Sequence, residues 1–315
     1  MRPSLIVHGG ASAIPKQNFT ACRRGIRNSL EAGWKILCAG GSAADAVEAA
    51  IVVLEEDPIF GAGYGSHLTL DGRVQLDAIL MDGATLKAGA VAAVERIRNP
   101  IRLARSILEK SKHVLLVGEG AEQFAQENGM LLCNPEELIT ERERAAWRVC
   151  RESSHDAENH AIAAQGTVGA VALDSRGSIF AGTSTGGTCC KHTGRVGDSP
   201  LIGCGCYADA EFGGVSCTGN GEGIMKIVMA KMAIDLLAEP PEAPYRFQPR
   251  PEGSQAEDNR AQFVADACVR KLAHRSHTTG GLILLDRDGH PAAAFNTPAM
   301  SYGFVKPDGT FHVSP

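Results

Sequence analysis

The stretch AIAAQGTVGAVALD, which begins at Ala161, contains the pair Gly166-Thr167. A polar segment ends at this pair and an apolar run follows it. A threonine hydroxyl is a weak nucleophile and needs a base to take its proton. If the bond between Gly166 and Thr167 were cut, Thr167 would carry an α-amine with a pKa of about 8, and this amine is such a base. The pair therefore predicts a nucleophile at Thr167, released by cleavage after Gly166, whose missing side chain tolerates a contorted backbone. The alternative is that Thr167 is only a β-branched residue that begins a strand.

Two charged residues follow in a stretch rich in Gly, Ser and Thr, which runs from Thr183 to Pro200. Arg195 can hold a carboxylate through two parallel hydrogen bonds, and Asp198 can hold an ammonium group. Together the two side chains would bind both charged ends of an amino acid. A surface ion pair in a turn is the alternative for these two residues.

Thr218 and Gly219 close the next apolar run, just before a helical pattern. Hydroxyl and backbone N–H donors at such a position can form an oxyanion hole, helped by the positive end of the helix. The alternative is an ordinary turn that leads into the helix.

Three turn signals and a set of apolar periodicities predict the elements that position these residues. Tight turns at 70–73, 174–177 and 286–289 each join two apolar runs, which favours antiparallel strands over a doubly wound parallel sheet. Short strands are expected at Leu5–Val7 and His113–Val117. The apolar spacing predicts helices at about 17–39, 42–56, 100–111, 119–128, 135–151, from Gly221 onward in one long helix, and at about 257–274.

Strands with helices in both halves of the chain predict an α+β fold layered as helix, sheet, sheet and helix. The polar segment 151–165 is interpreted as a flexible linker, and the Pro-rich stretch that starts near Glu239 as a loop.

The overall composition excludes several classes of function. The chain has 315 residues and a net charge of −5 without a basic block, so neither nucleic acid nor an anionic membrane surface is an expected partner. No apolar run reaches the roughly 18 residues of a membrane span, and the N-terminal apolar run is too short for a secretory signal. A cytoplasmic protein with reduced cysteines is expected.

Two further motifs do not predict a metal site or a nucleotide site. The pairs Cys189–Cys190 and Cys204/Cys206 do not form a C-x-x-C pattern, and they are interpreted as ordinary thiols rather than metal ligands. The stretch VGEGAEQFA at 117–125 lacks the third glycine of a dinucleotide fingerprint and the lysine of a phosphate-binding loop. No nucleotide site is therefore expected.

Several stretches, in one order and over most of the chain, resemble the plant-type L-asparaginase/isoaspartyl peptidase family of threonine-dependent N-terminal-nucleophile hydrolases. The resemblance implies a single domain, 1–315, with a four-layer αββα sandwich, and self-cleavage into an α subunit, 1–166, and a β subunit, 167–315. It also implies a homodimer of αβ units, hydrolysis of L-asparagine or β-aspartyl dipeptides, and no organic cofactor. The matching stretches are VHGGA, DPIFGAGYGS, LDAILMDG, LKAGAVAAVERIRNPI, HVLLVGEGAEQFA, GTVGAVALD, TSTGG, GRVGDSPLIGCGCYAD, SCTGNGE and GGLILLD.

The same resemblance implies a role for each candidate residue. It implies that Thr167 is the nucleophile and that Thr185 is its hydrogen-bonding partner. Arg195 and Asp198 would bind the carboxylate and the ammonium group of the substrate. Thr218 and Gly219 would form the oxyanion hole, and Gly221 would contact the substrate through its backbone. A structural Na⁺ is implied on the backbone carbonyl groups of Leu54, Glu55, Asp57, Phe60, Ala62 and Tyr64.

Two positions depart from the family pattern. Gly61 and Cys190 each stand where the family has Asn, and the change at Gly61 is expected to weaken catalysis or slow maturation. Two alternatives to the asparaginase interpretation stay open from the sequence. One is a glycosylasparaginase, although the linker does not place His155-Asp156 directly before Thr167 as those enzymes do; the other is an uncleaved and inactive relative.

Overall fold

The computed structural model describes residues 1–152, 166–240, 260–306 and 308–315, which form two β-sheets covered by helices. The larger sheet has eight strands in the order β12-β11-β1-β5-β6-β2-β3-β4, and the smaller has four in the order β10-β9-β8-β7. Neighbouring strands are antiparallel except for the parallel pair β3 and β4. The strands are β1 Ser4–Ser12, β2 Leu76–Asp82, β3 Ala88–Val94, β4 Leu115–Val117, β5 Thr167–Leu173, β6 Ile179–Thr185, β7 Cys206–Asp209, β8 Gly213–Gly219, β9 Gly280–Asp286, β10 Pro291–Phe295, β11 Ala299–Val305 and β12 Phe311–Ser314.

The α-helices of the described residues lie where the apolar spacing predicts them, with one shortened helix and one exception. The helix predicted at 135–151 begins only at Glu141, since Pro135–Leu138 form a separate 3₁₀ helix. Together with the mixed sheets, the helices confirm the predicted α+β class. The helix Ala43–Glu56 is capped at its N-terminus, because the Ser42 hydroxyl accepts a hydrogen bond from the backbone N–H of Asp45 at 3.1 Å. The helices are α1 Phe19–Cys38, α2 Ala43–Glu56, α3 Pro100–Lys110, α4 Gly118–Glu127, α5 Glu141–Glu152, α6 Gly221–Ile227, α7 Met229–Ala238 and α8 Arg260–Ser276.

The exception is the helix that begins at Gly221, where the prediction of one long helix is wrong. Val228 adopts a left-handed conformation with φ of 51° and separates α6 from α7. The first backbone N–H groups of α7 do not bond back to α6. Instead Ala230 and Lys231 donate to carbonyl oxygens of the loop before β7, Lys231 to that of Gly203 at 2.8 Å. Apolar spacing carries no information about this tertiary competition for hydrogen bonds.

The predicted turns have two outcomes. Those at 174–177 and 286–289 join the antiparallel pairs β5–β6 and β9–β10, as expected. The turn at 70–73 forms, but it is flanked by a single bridge between Leu68 and Val74 rather than by two strands. Most of the predicted linker 151–165 and of the Pro-rich loop lies outside the described residues, as does the start of the last predicted helix before Arg260.

Strand β5, which begins with Thr167, is buried on both faces. Val168, Ala170 and Ala172 pack with α1 and α2, while Val171 and Leu173 pack against the smaller sheet, following the period of two that a strand imposes. The helices α7 and α8 cover the opposite side of the smaller sheet. The strand that carries Thr167 is therefore held between apolar layers, which fixes the position of its first residue.

Polar groups are also buried between the sheets, in a chain of hydrogen bonds near Thr167. His8 of β1 lies 2.9 Å from the hydroxyl of Ser216 of β8, which lies 2.7 Å from the hydroxyl of Thr183 of β6. Burial lowers the pKa of His8 to about 3, so its ring is neutral. Gly169 makes room for this chain, because a Cβ there would lie 2.0 Å from the Ser216 hydroxyl oxygen.

No helix of the described ranges combines the length and the apolar character that crossing a membrane requires.

We expect Gly169→Ala to lower the free energy of unfolding by about 2 kcal/mol, because the new methyl group must displace the buried hydroxyl of Ser216. Gly120→Ala is the matched control, since no atom lies within 4 Å of its Cβ position inside α4. That change should raise stability by up to about 1 kcal/mol through helix propensity. Urea unfolding of both variants gives the two values, and equal effects would contradict the proposed crowding at Gly169.

Candidate active site

Thr167 and Thr185 face each other at the start of β5 and the end of β6. The antiparallel register pairs the two residues, and their hydroxyl oxygens are 3.2 Å apart. The Thr185 hydroxyl donates a short hydrogen bond to the carbonyl oxygen of Gly166 and accepts one from the backbone N–H of Gly187 at 2.9 Å. Thr185 thus contacts both the candidate nucleophile and the peptide bond that precedes it.

The carbonyl group of Gly166 is polarised by two donors. Besides the Thr185 hydroxyl, the backbone N–H of Gly186 donates to its oxygen at 3.1 Å. Donors placed in this way stabilise negative charge that develops on a carbonyl oxygen under attack. The bond between Gly166 and Thr167 is therefore held in an environment suited to nucleophilic attack.

Close packing explains why residue 166 is a glycine. Its backbone is not in the left-handed region that favours glycine, so the expected reason, a contorted backbone, is not the one found. A Cβ at Gly166 would instead lie 2.5 Å from the carbonyl oxygen of Gly187 and 3.1 Å from Cδ2 of His67. The space beside the bond between Gly166 and Thr167 is already filled.

His67 and Glu143 form a buried pair beside Gly166 that sequence reasoning missed. His67 Nδ1 lies 2.8 Å from a carboxylate oxygen of Glu143, and both side chains are less than a tenth exposed. Burial favours a higher pKa for Glu143, but the hydrogen bond and charge of His67, with Arg142, lower the pKa below its usual value. His67 Nε2 has no hydrogen-bond partner among the described residues. Because the two residues are far apart in sequence, no local motif could have joined them.

Asp198 presents an unsatisfied carboxylate to the pocket. The residue is buried, its Oδ2 atom lacks a partner within the described part of the chain, and burial raises its pKa to about 7 even though Arg195 acts in the opposite direction. The backbone N–H groups of Leu201 and Gly205 both donate to its carbonyl oxygen and fix the loop. An ammonium group is the natural partner for such a carboxylate oxygen.

Arg195 lies beside Asp198, and its guanidinium holds a carboxylate. The Nε and one terminal nitrogen of Arg195 each donate to a different oxygen of Glu222, both at 2.9 Å. The Arg195 side chain is largely buried, whereas Glu222 is half exposed. This bidentate geometry is the one in which arginine binds a free carboxylate.

The remaining candidates lie at the end of β8 and the start of α6. The backbone N–H of Ala11 donates to the Thr218 hydroxyl at 3.2 Å, which leaves the hydroxyl proton of Thr218 available for another acceptor. Gly219 has φ of 130°, a conformation that favours glycine. A Cβ at Gly221 would lie 2.9 Å from both Arg195 and Asp198, so only glycine lets the two side chains approach α6.

One small, open pocket brings all the predicted catalytic and substrate-binding residues together. Four separate segments of the chain contribute. The lining residues are Gly166, Thr167, Thr185, Gly187, Thr188, Arg195, Gly197, Asp198, Ser199, Thr218, Gly219 and Gly221.

Two buried charges behind the pocket were also not predicted. Lys191 donates to the carbonyl oxygen of Gln75 at 2.7 Å, and a Cβ at Gly187 would touch its Nζ atom. Burial lowers the pKa of Lys191, against the attraction of Asp77. Burial raises the pKa of Asp77, whose Oδ1 accepts from the backbone N–H of Ala93 at 2.8 Å. These charges support the loop that holds Gly187 and Thr188.

The predicted cation-binding segment begins in the last turn of α2, with Leu54 and Glu55, and the loop after the helix turns back on it. The backbone N–H of Tyr64 donates to the carbonyl oxygen of Glu55 at 2.8 Å, and that of Phe60 to the carbonyl oxygen of Asp57 at 3.2 Å. The Glu55 side chain is fully buried, which raises its pKa to about 8, and it accepts a hydrogen bond from the hydroxyl of Ser184 at 2.7 Å. Since Ser184 precedes Thr185, the loop is connected to the strand that places Thr185 opposite Thr167.

Comparisons with known proteins agree with this geometry. An isoaspartyl peptidase/L-asparaginase of Xenopus laevis is 40% identical to the chain over 99% of the chain and 96% of the relative. A protein of the same name from Mus musculus is 43% identical over 96% of the chain and 87% of the relative. A plant-type L-asparaginase of Pyrococcus abyssi is 43% identical over 96% of both chains. The family model described as Asparaginase matches residues 1–243, and the chain therefore belongs to the asparaginase family that its sequence resembles.

Proposed function

We propose that this protein is an autoprocessing amidohydrolase that hydrolyses L-asparagine and β-aspartyl dipeptides, with Thr167 as its nucleophile. The names of its relatives support this substrate class. The observation that carries the proposal is the convergence, in one small pocket, of the Thr167 hydroxyl, the Arg195 guanidinium and the Asp198 carboxylate, whose Oδ2 atom has no hydrogen-bond partner among the described residues.

Substrate binding follows from these two charges. Asp198 binds the α-ammonium group of the aspartyl part, and Arg195 binds its α-carboxylate in place of Glu222. Both interactions use the part that asparagine and β-aspartyl peptides share. The side-chain carbonyl carbon is then the atom presented to Thr167.

The chemistry requires a free α-amine at Thr167. This amine takes the hydroxyl proton, and Oγ1 attacks the side-chain carbonyl carbon of the substrate. The Thr218 hydroxyl and the backbone N–H of Gly219 stabilise the oxyanion. Ammonia or an amino acid leaves with a proton, and water then hydrolyses the β-aspartyl ester on Thr167 to release aspartate.

The same residues serve the maturation step that exposes the amine. In the continuous chain, Thr167 Oγ1 attacks the carbonyl carbon of Gly166, whose oxygen is held by the Thr185 hydroxyl and the Gly186 N–H. The peptide bond to the Thr167 nitrogen breaks, the hydroxyl proton passes to that nitrogen, and water cleaves the ester. The products are the subunits 1–166 and 167–315.

We further propose the family's four-layer αββα arrangement, a homodimer of αβ units and a structural Na⁺. Helices packed on the outer sides of two contacting sheets support the first. The proposed ligands of the cation are backbone carbonyl oxygens, which are suitable for a hard cation. The Glu55 and Asp57 oxygens each accept one hydrogen bond and keep a second lone pair.

Gly61 keeps the backbone of this loop in a left-handed conformation, with φ of 66°. Asn is one of the few other residues that adopt this region readily. The exchange of the family's Asn for Gly61 is therefore compatible with the local backbone, and what the change removes is a side-chain amide.

We expect the purified protein to yield two chains by intact mass spectrometry, the second beginning with TVGAV. Thr167→Ala should remain one chain of 33.1 kDa without asparaginase or β-aspartyl peptidase activity. Thr167→Ser, which keeps a hydroxyl, is the matched control and should still cleave. An uncut wild-type chain that hydrolyses asparagine would refute the mechanism.

The activity should also depend on the ionisation of Asp198. Its pKa of about 7 means that the carboxyl group is neutral below that pH and cannot hold an ammonium group, so kcat/KM should rise as pH increases through this region. Asp198→Asn should remove this limb of the profile and lower kcat/KM by roughly 30-fold or more at about pH 8. The Thr167 amine titrates in both proteins, so the difference between the two profiles isolates Asp198. Identical profile shapes would contradict the assignment.

Gly166→Ala should slow self-cleavage by at least about tenfold. The added methyl group would collide with the backbone carbonyl of Gly187, and relieving the collision moves the scissile carbonyl away from its two donors. Gels of freshly made protein, sampled over time, give the rate. Gln165→Ala, one residue earlier, is the control and should cleave at the wild-type rate; equal slowing of both variants would count against the packing argument.

A further inference from the structure

Three cysteine thiols come together beside the pocket. Cys150 lies near the end of α5, and Cys189 and Cys190 lie in the loop that follows β6. Their three Sγ atoms all lie within 4.8 Å of one another, and each residue is partly exposed. None is part of a disulfide, although all ten cysteines of the chain lie in the described residues.

The spacing suits a metal ion bound by sulfur. With zinc–sulfur bonds of about 2.3 Å, tetrahedral ligation places sulfur atoms roughly 3.8 Å apart. Thiols within 4.8 Å reach that spacing through small side-chain rotations. The partial exposure of all three leaves a path for an ion and a position for water as the fourth ligand.

The backbone at Cys190 is unusual and serves the cluster. Neighbouring residues of an extended chain point in opposite directions. Cys190 has φ of 56°, a left-handed conformation that costs a non-glycine residue free energy. With this backbone, the thiols of the consecutive residues Cys189 and Cys190 both lie near the thiol of Cys150. The strained residue is therefore part of the cluster.

We propose that Cys150, Cys189 and Cys190 form a binding site for a thiophilic divalent cation, of which Zn²⁺ is the best match. Three thiols lose their protons to solvent, three metal–sulfur bonds form, and no atom changes oxidation state. Affinity therefore rises with pH as proton competition falls.

The site has a consequence that rests on the proposed function. Cys150 precedes the bond between Gly166 and Thr167, and the other two cysteines follow it. After cleavage, the ion would connect the two subunits. It would also restrain the loop beside Thr188, which lines the pocket.

Co²⁺ binding tests the proposal directly. Reduced, metal-free protein is titrated with Co²⁺, and we expect near-ultraviolet sulfur-to-cobalt charge-transfer absorption that saturates at one equivalent and disappears when Zn²⁺ is added. Cys150→Ser and Cys189→Ser should each weaken binding by at least about tenfold. Cys38→Ser, which removes an exposed thiol elsewhere, is the matched control and should bind like the wild type.

A second measurement keeps the test valid if a variant folds poorly. In the wild-type protein, Zn²⁺ should protect three thiols from a thiol-specific reagent. Absence of the charge-transfer band, or a band that survives both substitutions, would overturn the proposal. So would a mass loss of two hydrogen atoms that marks a disulfide among these cysteines in the absence of metal. Thr167→Ala protein should bind Co²⁺ equally well, so failure of self-cleavage would not affect this result.

Discussion

The structure depends on the close approach of two sheets at the point where β5 begins. Apolar side chains fill most of the space between the sheets, but near Thr167 the contact is made by His8, Thr183 and Ser216. Buried polar groups are tolerated only when they are hydrogen-bonded, so this chain of bonds fixes the relative position of β1, β6 and β8. Of these strands, β6 carries Thr185 and β8 carries Thr218 and Gly219, which line the pocket together with Thr167.

Gly169 and Gly166 are needed because no space is left for a side chain. For Gly166 we had expected a different reason, a contorted backbone. A hydroxyl, an imidazole or a carbonyl oxygen occupies the position that a side chain would need. The region therefore combines a small pocket with densely packed surroundings, a combination that holds reacting atoms in place.

The sequence predicted best those features that are local. Thr167, Arg195 and Asp198 stand in short motifs whose residue types already suggest a nucleophile and two charged binding groups. The hairpins and most helices follow from turn residues and apolar spacing. The pairing of His67 with Glu143 and the meeting of Cys150 with Cys189 could not be predicted, because each joins segments distant in sequence. The break at Val228 was missed for a related reason, since loop carbonyls before β7 compete for the amides of α7.

The ion pair between Arg195 and Glu222 has a consequence for ligand selection. The guanidinium already has a carboxylate partner, so an incoming molecule with its own carboxylate exchanges one ion pair for another. Breaking the resident pair costs little, because Glu222 is half exposed to solvent. A neutral molecule forms no ion pair with Arg195, so the guanidinium favours a ligand that brings its own carboxylate.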